Sequence, residues 1–137
     1  MTKLWCCGCG KKISAVRSSG SVIYPHRPDL LTLPFWQCRD CGNYVGCHPG
    51  TDKPLGCIPT KEIREARKKI HAVLDPLWKS GKMKRGSLYK KLGDRLGYQY
   101  HTGEIKSVEE AENVIQKVLE ISELEDTRRN PGAGERI

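Results

Sequence analysis

Beyond residue 60 the apolar residues recur at helical spacing. Ile63, Ala66, Ile70, Val73, Leu74 and Leu77 predict a helix from about Lys61 to Trp78. Thr60, directly after Pro59, is placed to cap its start. Pro76 falls inside the pattern and lacks a backbone donor, so a kink is expected there, or a restart with Asp75 as a new cap. Gly81 closes the segment. Leu88, Leu92 and Leu96 predict a second helix over Ser87–Leu96, ended by Gly97. The capping box Ser107-Val108-Glu109-Glu110 opens a third, with an apolar stripe of Val108, Ala111, Val114, Ile115, Val118, Leu119 and Ile121. After about Leu124 the chain is charged, and residues 125–137 are read as a disordered tail.

Before residue 60 the helical period is absent. Ile13 and Val16, then Val22, Ile23 and Tyr24, predict two short strands around Ser18-Ser19-Gly20-Ser21. Pro25, Pro28 and Pro34 force an irregular return. Trp36-Gln37-Cys38 and Tyr44-Val45-Gly46 read as strand ends. Residues 47–59 are dense in Pro and Gly and read as a stiff, ordered loop.

Four cysteines punctuate this half: Cys6-x-x-Cys9 followed by Gly10, and Cys38-x-x-Cys41 followed by Gly42. A C-x-x-C-G turn aims two thiolates at one point, and its glycine takes backbone angles that other residues avoid. Two such turns brought together make a closed tetrahedral S₄ site suited to one structural Zn²⁺. A closed site has no open position for catalysis. Cys7 offers a third thiol at the first turn, but the x₂ spacing favours Cys6 with Cys9, and Cys7 is read as a half-buried small residue. Cys47, His48 and Cys57 lack the paired spacing of a second metal site. The fold class expected is α+β: a zinc-ribbon β-hairpin unit over residues 1–59, packed on a small bundle of about three helices over residues 60–124.

Charge divides the chain further. Its 137 residues carry a formal net charge of +8. Residues 60–100 hold twelve Lys/Arg against four Asp/Glu, whereas residues 101–137 hold five against nine. The middle of the chain is therefore the expected contact surface for a polyanion. Its candidate nucleic-acid-binding residues are Arg64, Arg67, Lys68, Lys82, Lys84, Arg85, Lys90 and Lys91. They would hold phosphates with little choice of sequence. Trp78 and Tyr89, interleaved with them, are read as core residues; exposed aromatics would add stacking on a single strand. No stretch is apolar enough to span a membrane and no signal-peptide pattern opens the chain, so a cytoplasmic location is expected.

Candidate acid–base chemistry rests on four residues. His71 and Asp75, four apart, share a helix face, an arrangement that can orient an imidazole. The same spacing makes an ordinary structural pair. His101 sits in a polar-aromatic run, Tyr98 to Thr102, and His48 follows the second cysteine turn.

Several strings together resemble a known family. They are Cys6-x-x-Cys9-Gly10, the block Phe35-Trp36-Gln37-Cys38-Arg39-Asp40-Cys41-Gly42-Asn43-Tyr44-Val45-Gly46-Cys47-His48-Pro49-Gly50-Thr51, and Pro54-Leu55-Gly56. Glu62-Ile63-Arg64-x-Ala66-Arg67, His71, Asp75-Pro76-Leu77-Trp78, Arg85, Tyr89, Leu92 and His101-x-Gly103 complete them. Over roughly residues 5–120 the chain resembles the zinc-finger-containing domain family of phages and prophages. The resemblance implies a zinc knuckle pair and a phage context, and no reaction. It also implies one shared site, or one hydrogen-bond network, at His48, His71, Asp75, Trp78, Arg85, Tyr89 and His101. Cys57 and Cys7 depart from the family pattern. The preferred expectation is an accessory protein that binds nucleic acid through its basic helices, with a structural zinc. A protein-binding modulator or inhibitor of a host enzyme is the alternative, and a nuclease using His48, His71, Asp75 and His101 the third reading.

Overall fold

The computed structural model describes residues 2–129. They fall into two compact units. One is built from the chain up to Arg64 together with Thr102–Ser107, the other from Glu65–His101 together with the chain from Val108 onward.

The first unit is a four-stranded antiparallel sheet in sequential order: β1 Thr2–Cys6, β2 Lys11–Ser19, β3 Pro34–Gln37 and β4 Tyr44–Gly46. Cys6 pairs with Lys11 and Gln37 with Tyr44, so each C-x-x-C segment is a hairpin turn. In an up-and-down meander the first and third turns lie at the same end of the sheet. That topology brings the two cysteine pairs together. Gly10 and Gly42 have φ of 68° and 76°, the left-handed angles that close both turns.

Two features differ from the sequence reading. β1, which lies ahead of the first cysteine turn, was not expected, and it pairs along its length with β2. The second of the two predicted short strands is replaced by α1 Gly20–Ile23, one helical turn. β2 instead runs unbroken to Ser19, because its far half pairs with β3, Val16 opposite Gln37 and Ser19 opposite Pro34. The strand ends expected beside the second cysteine pair are present as β3 and β4.

The Pro/Gly-rich loop is ordered, as expected. Leu55 donates to the Gly46 carbonyl at 2.9 Å and His48 to that of Lys53 at 2.9 Å. Ile58 then inserts into the backbone of the first turn, donating to Trp5 at 2.8 Å and accepting from Cys7 at 2.9 Å. The core of this unit is Cys6, Ile13, Ala15, Trp36, Cys38, Val45 and Ile58, so two of the cysteines belong to it. A short 3₁₀ turn, Thr102–Glu104, leads to Ile105, which is buried in the same unit.

The helices are α2 Lys61–Lys79, α3 Arg85–Leu96 and α4 Val108–Arg129. Thr60 caps α2 as expected, its hydroxyl accepting from the Ile63 amide at 3.2 Å. Pro76 does not restart α2. It costs the helix the backbone bond that residue 76 would donate to the Ala72 carbonyl, yet α2 runs on through it, and the Ser80 amide still reaches the Pro76 carbonyl at 3.1 Å. Asp75 is accordingly not a new cap. Gly97 ends α3 in the left-handed conformation, φ 85°. Leu88 and Leu92 on α3 are fully buried, each contributing about 1.5–3 kcal/mol of burial. α4 continues past the expected end near Leu124, so residues 125–129 are helical rather than tail. The rest of the predicted tail, residues 130–137, lies outside the described residues.

Candidate metal centre and basic groove

The sulfur atoms of Cys6, Cys9, Cys38 and Cys41 lie within 4.8 Å of one another. Cys6 Sγ is 3.4 Å from Cys41 Sγ, and Cys9 Sγ is 3.6 Å from Cys38 Sγ. A tetrahedral zinc with Zn–S bonds of about 2.3 Å needs sulfurs about 3.8 Å apart. The four thiols therefore fit one zinc ion in number, spacing and softness. The expectation that Cys7 stands apart is met: its sulfur lies 4.0 Å from that of buried Cys57 and outside the group of four. Among the described residues no second group of His, Cys and carboxylates gathers around Cys47 or His48.

The surroundings set the thiol chemistry. Burial pushes the Cys6 thiol up. The hydrogen bond with Cys38 pushes Cys9 up to about 12, with burial adding to it. Burial raises Cys38 too, but the backbone N–H groups of Cys41 and Asp40 and the neighbouring thiols outweigh it and bring Cys38 down to about 7. Cys38 is thus held towards the thiolate, the form that a metal ion binds. Asn43 donates its side-chain amide to Cys41 Sγ at 3.2 Å, orienting the sulfur of the one exposed cysteine of the set.

The fold and this centre define a closed four-cysteine zinc module whose ion is structural. A family model described as a zinc-finger-containing domain matches residues 2–124, and the chain belongs to that family. The comparisons with curated proteins and with solved structures gave no match.

In the second unit, residues singled out from the sequence form one connected set. Asp75 Oδ1 is 3.1 Å from His71 Nδ1 and accepts from Trp78 Nε1 at 3.2 Å. The Arg85 guanidinium lies 5.6 Å from the Trp78 ring centre and 4.4 Å from that of Tyr89. Tyr89 in turn meets Tyr100 edge-on at 5.9 Å. His101 joins this set through an open groove of about 800 Å³ whose walls include Arg85, Tyr89, Lys90, Tyr98 and Tyr100. His71 and Asp75 do not line that groove. His48 belongs to the first unit, on the rim of a separate cavity beside Cys47. Trp78 and Tyr89, expected in the core, are only half-buried.

The basic residues separate into two groups. Acidic α4 takes one: Lys82 pairs with Asp126, Lys91 with Glu125 at 3.8 Å and Arg95 with Glu120 at 2.9 Å. Lys68 pairs with Glu65 at 3.3 Å on its own helix. In the first unit Arg64 lies over the Tyr44 ring, 4.3 Å from its centre. Lys84, Arg85 and Lys90 are exposed and have no carboxylate partner among the described residues. The sequence reading includes Tyr100 only as part of the polar-aromatic run Tyr98 to Thr102 and passes over Gly93; Tyr100 is buried, and both line the groove. Their signal is the aromatic run Tyr98–His101 placed directly after the cap of α3.

Proposed function

We propose that this zinc-finger-containing protein binds nucleic acid through the solvent-facing side of α3, with zinc holding the first unit in shape. One observation carries the reading: Lys84, Arg85 and Lys90 are exposed without carboxylate partners, beside exposed aromatic surface, while the neighbouring cations are neutralised by α4. Phosphates supply the missing counter-charges, and binding then releases condensed cations. The nuclease reading gains no support from this geometry, since His71 and Asp75 do not line the groove that His101 lines. The reading carries with it the phage-type setting and cytoplasmic location that the sequence suggests.

The test is fluorescence anisotropy of labelled oligonucleotides between 50 and 200 mM salt. About three phosphate contacts make the affinity fall roughly 40-fold over that range. An affinity that does not change with salt contradicts the reading.

A further inference from the structure

Resting on that reading, we infer that the α3 groove takes single-stranded nucleic acid, with a phosphate on Arg85 and an unstacked base on Tyr98. The Arg85 guanidinium is fixed between two rings, 5.6 Å from that of Trp78 and 4.4 Å from that of Tyr89. Trp78 is itself anchored by the Asp75 carboxylate at 3.2 Å. Arg85 therefore has a set orientation, and its N–H groups have no acceptor among the described residues. A planar fork held this way is pre-organised for a phosphate, and less freedom is lost on binding. Lys90, along the same wall, adds charge for the next phosphate. Asp94, the one carboxylate in the lining, disfavours an anion beside it and leaves the phosphate to the Arg85 end.

The other wall is aromatic and built. The Tyr98 amide donates to the Gly93 carbonyl at 3.2 Å, which pins the residue against the end of α3. A Cβ on Gly93 would stand 3.0 Å from the Tyr98 carbonyl, so the bare glycine is what lets that segment close in. Tyr98 is 49% exposed, so part of its side chain is open to solvent at the groove. Tyr100 is buried against Tyr89, and His101 is exposed in the lining.

The shape favours single strands over duplex. Reading a duplex in its major groove calls for a protruding helix or ribbon. Here the charged side of α3 is one wall of a concavity. In a duplex the base faces are already stacked and have nothing to offer Tyr98, whereas every base of a single strand has a free face.

The experiment compares a labelled 12-nucleotide single strand of mixed sequence with its duplex, using the intact protein and Tyr98→Ala and Arg85→Ala variants. Circular dichroism checks that the variants are folded. The single strand is expected to bind at least tenfold more tightly than the duplex. Tyr98→Ala should weaken single-strand binding about tenfold without changing the salt slope, and Arg85→Ala should weaken it and flatten that slope. Equal or tighter binding of the duplex, or a folded Tyr98→Ala variant of full single-strand affinity, overturns this inference and leaves the broader proposal standing. Failure to bind either form overturns both.

Discussion

Cys9 and Cys38 hold their sulfur atoms 3.6 Å apart although 29 positions separate them in the chain. Nothing in the unfolded chain keeps them close, so the meander must form to bring the turns together, and an ion that binds there stabilises the meander in return. Thiol identity is then testable. Cys38→Ser should lose zinc to a chelator that the unmodified protein resists and should lower the melting temperature. Cys7→Ala, outside the set of four, should keep one zinc per chain. Metal analysis and calorimetry of both variants check this.

A second prediction concerns backbone contact. A Cβ on Gly56 would lie 2.0 Å from the Gly103 carbonyl oxygen, and one on Gly103 would lie 2.2 Å from that of Leu55. Both obstacles are backbone atoms, which cannot swing aside. Gly56→Ala and Gly103→Ala should each destabilise the protein by about 2 kcal/mol or more, measured by denaturant unfolding. Gly86, in the first turn of α3, faces open space, and Gly86→Ala should be neutral or stabilising by up to about 1 kcal/mol.

The third concerns pH. Burial, then the hydrogen bond with Tyr24, pushes Tyr44 up to about 12, against the opposing charge of Arg64 over its ring. The folded state therefore favours the neutral phenol. That contribution is complete below pH 10, the ordinary tyrosine value, and is lost as pH rises through about 12. Melting temperatures should fall between pH 10 and 12, and Tyr44→Phe should reduce the slope. Removing the cation by Arg64→Ala should move the Tyr44 ionisation higher in an absorbance titration.

The fourth separates the two sets of cations. If α3 meets phosphate through its unpaired charges, Arg85→Ala and Lys90→Ala should each reduce the salt slope of binding by about one. Lys91 and Arg95, already paired with Glu125 and Glu120, should matter less. Equal losses at all four positions would mean that net charge, not the groove, governs binding.

Much of this architecture is legible in the sequence because local signals carry it. The x₂ spacing with Gly10 and Gly42 names the metal ligands, and Thr60 and Gly97 mark helix ends through their own backbone chemistry. What stays hidden depends on partners distant in sequence. β1 is a strand because β2 lies beside it, and five residues ahead of a cysteine turn do not announce that pairing. Residues 16–19 continue β2 for the same reason, through β3. The division of the basic residues depends on which side of α3 meets acidic α4, and composition alone merges Lys91 with Lys90. The groove is half legible: Tyr98–His101 is visible as an aromatic run, but its placement against Arg85 needs the α3 cap and the close approach at Gly93.

Native mass spectrometry of the intact protein, loaded with zinc and then challenged with a graded chelator, tests the central claim most directly. The account predicts one zinc per chain, lost only together with the folded form of the first unit, and retained by Cys7→Ala but not by Cys38→Ser. A chain that stays folded and equally stable with no metal bound would contradict it.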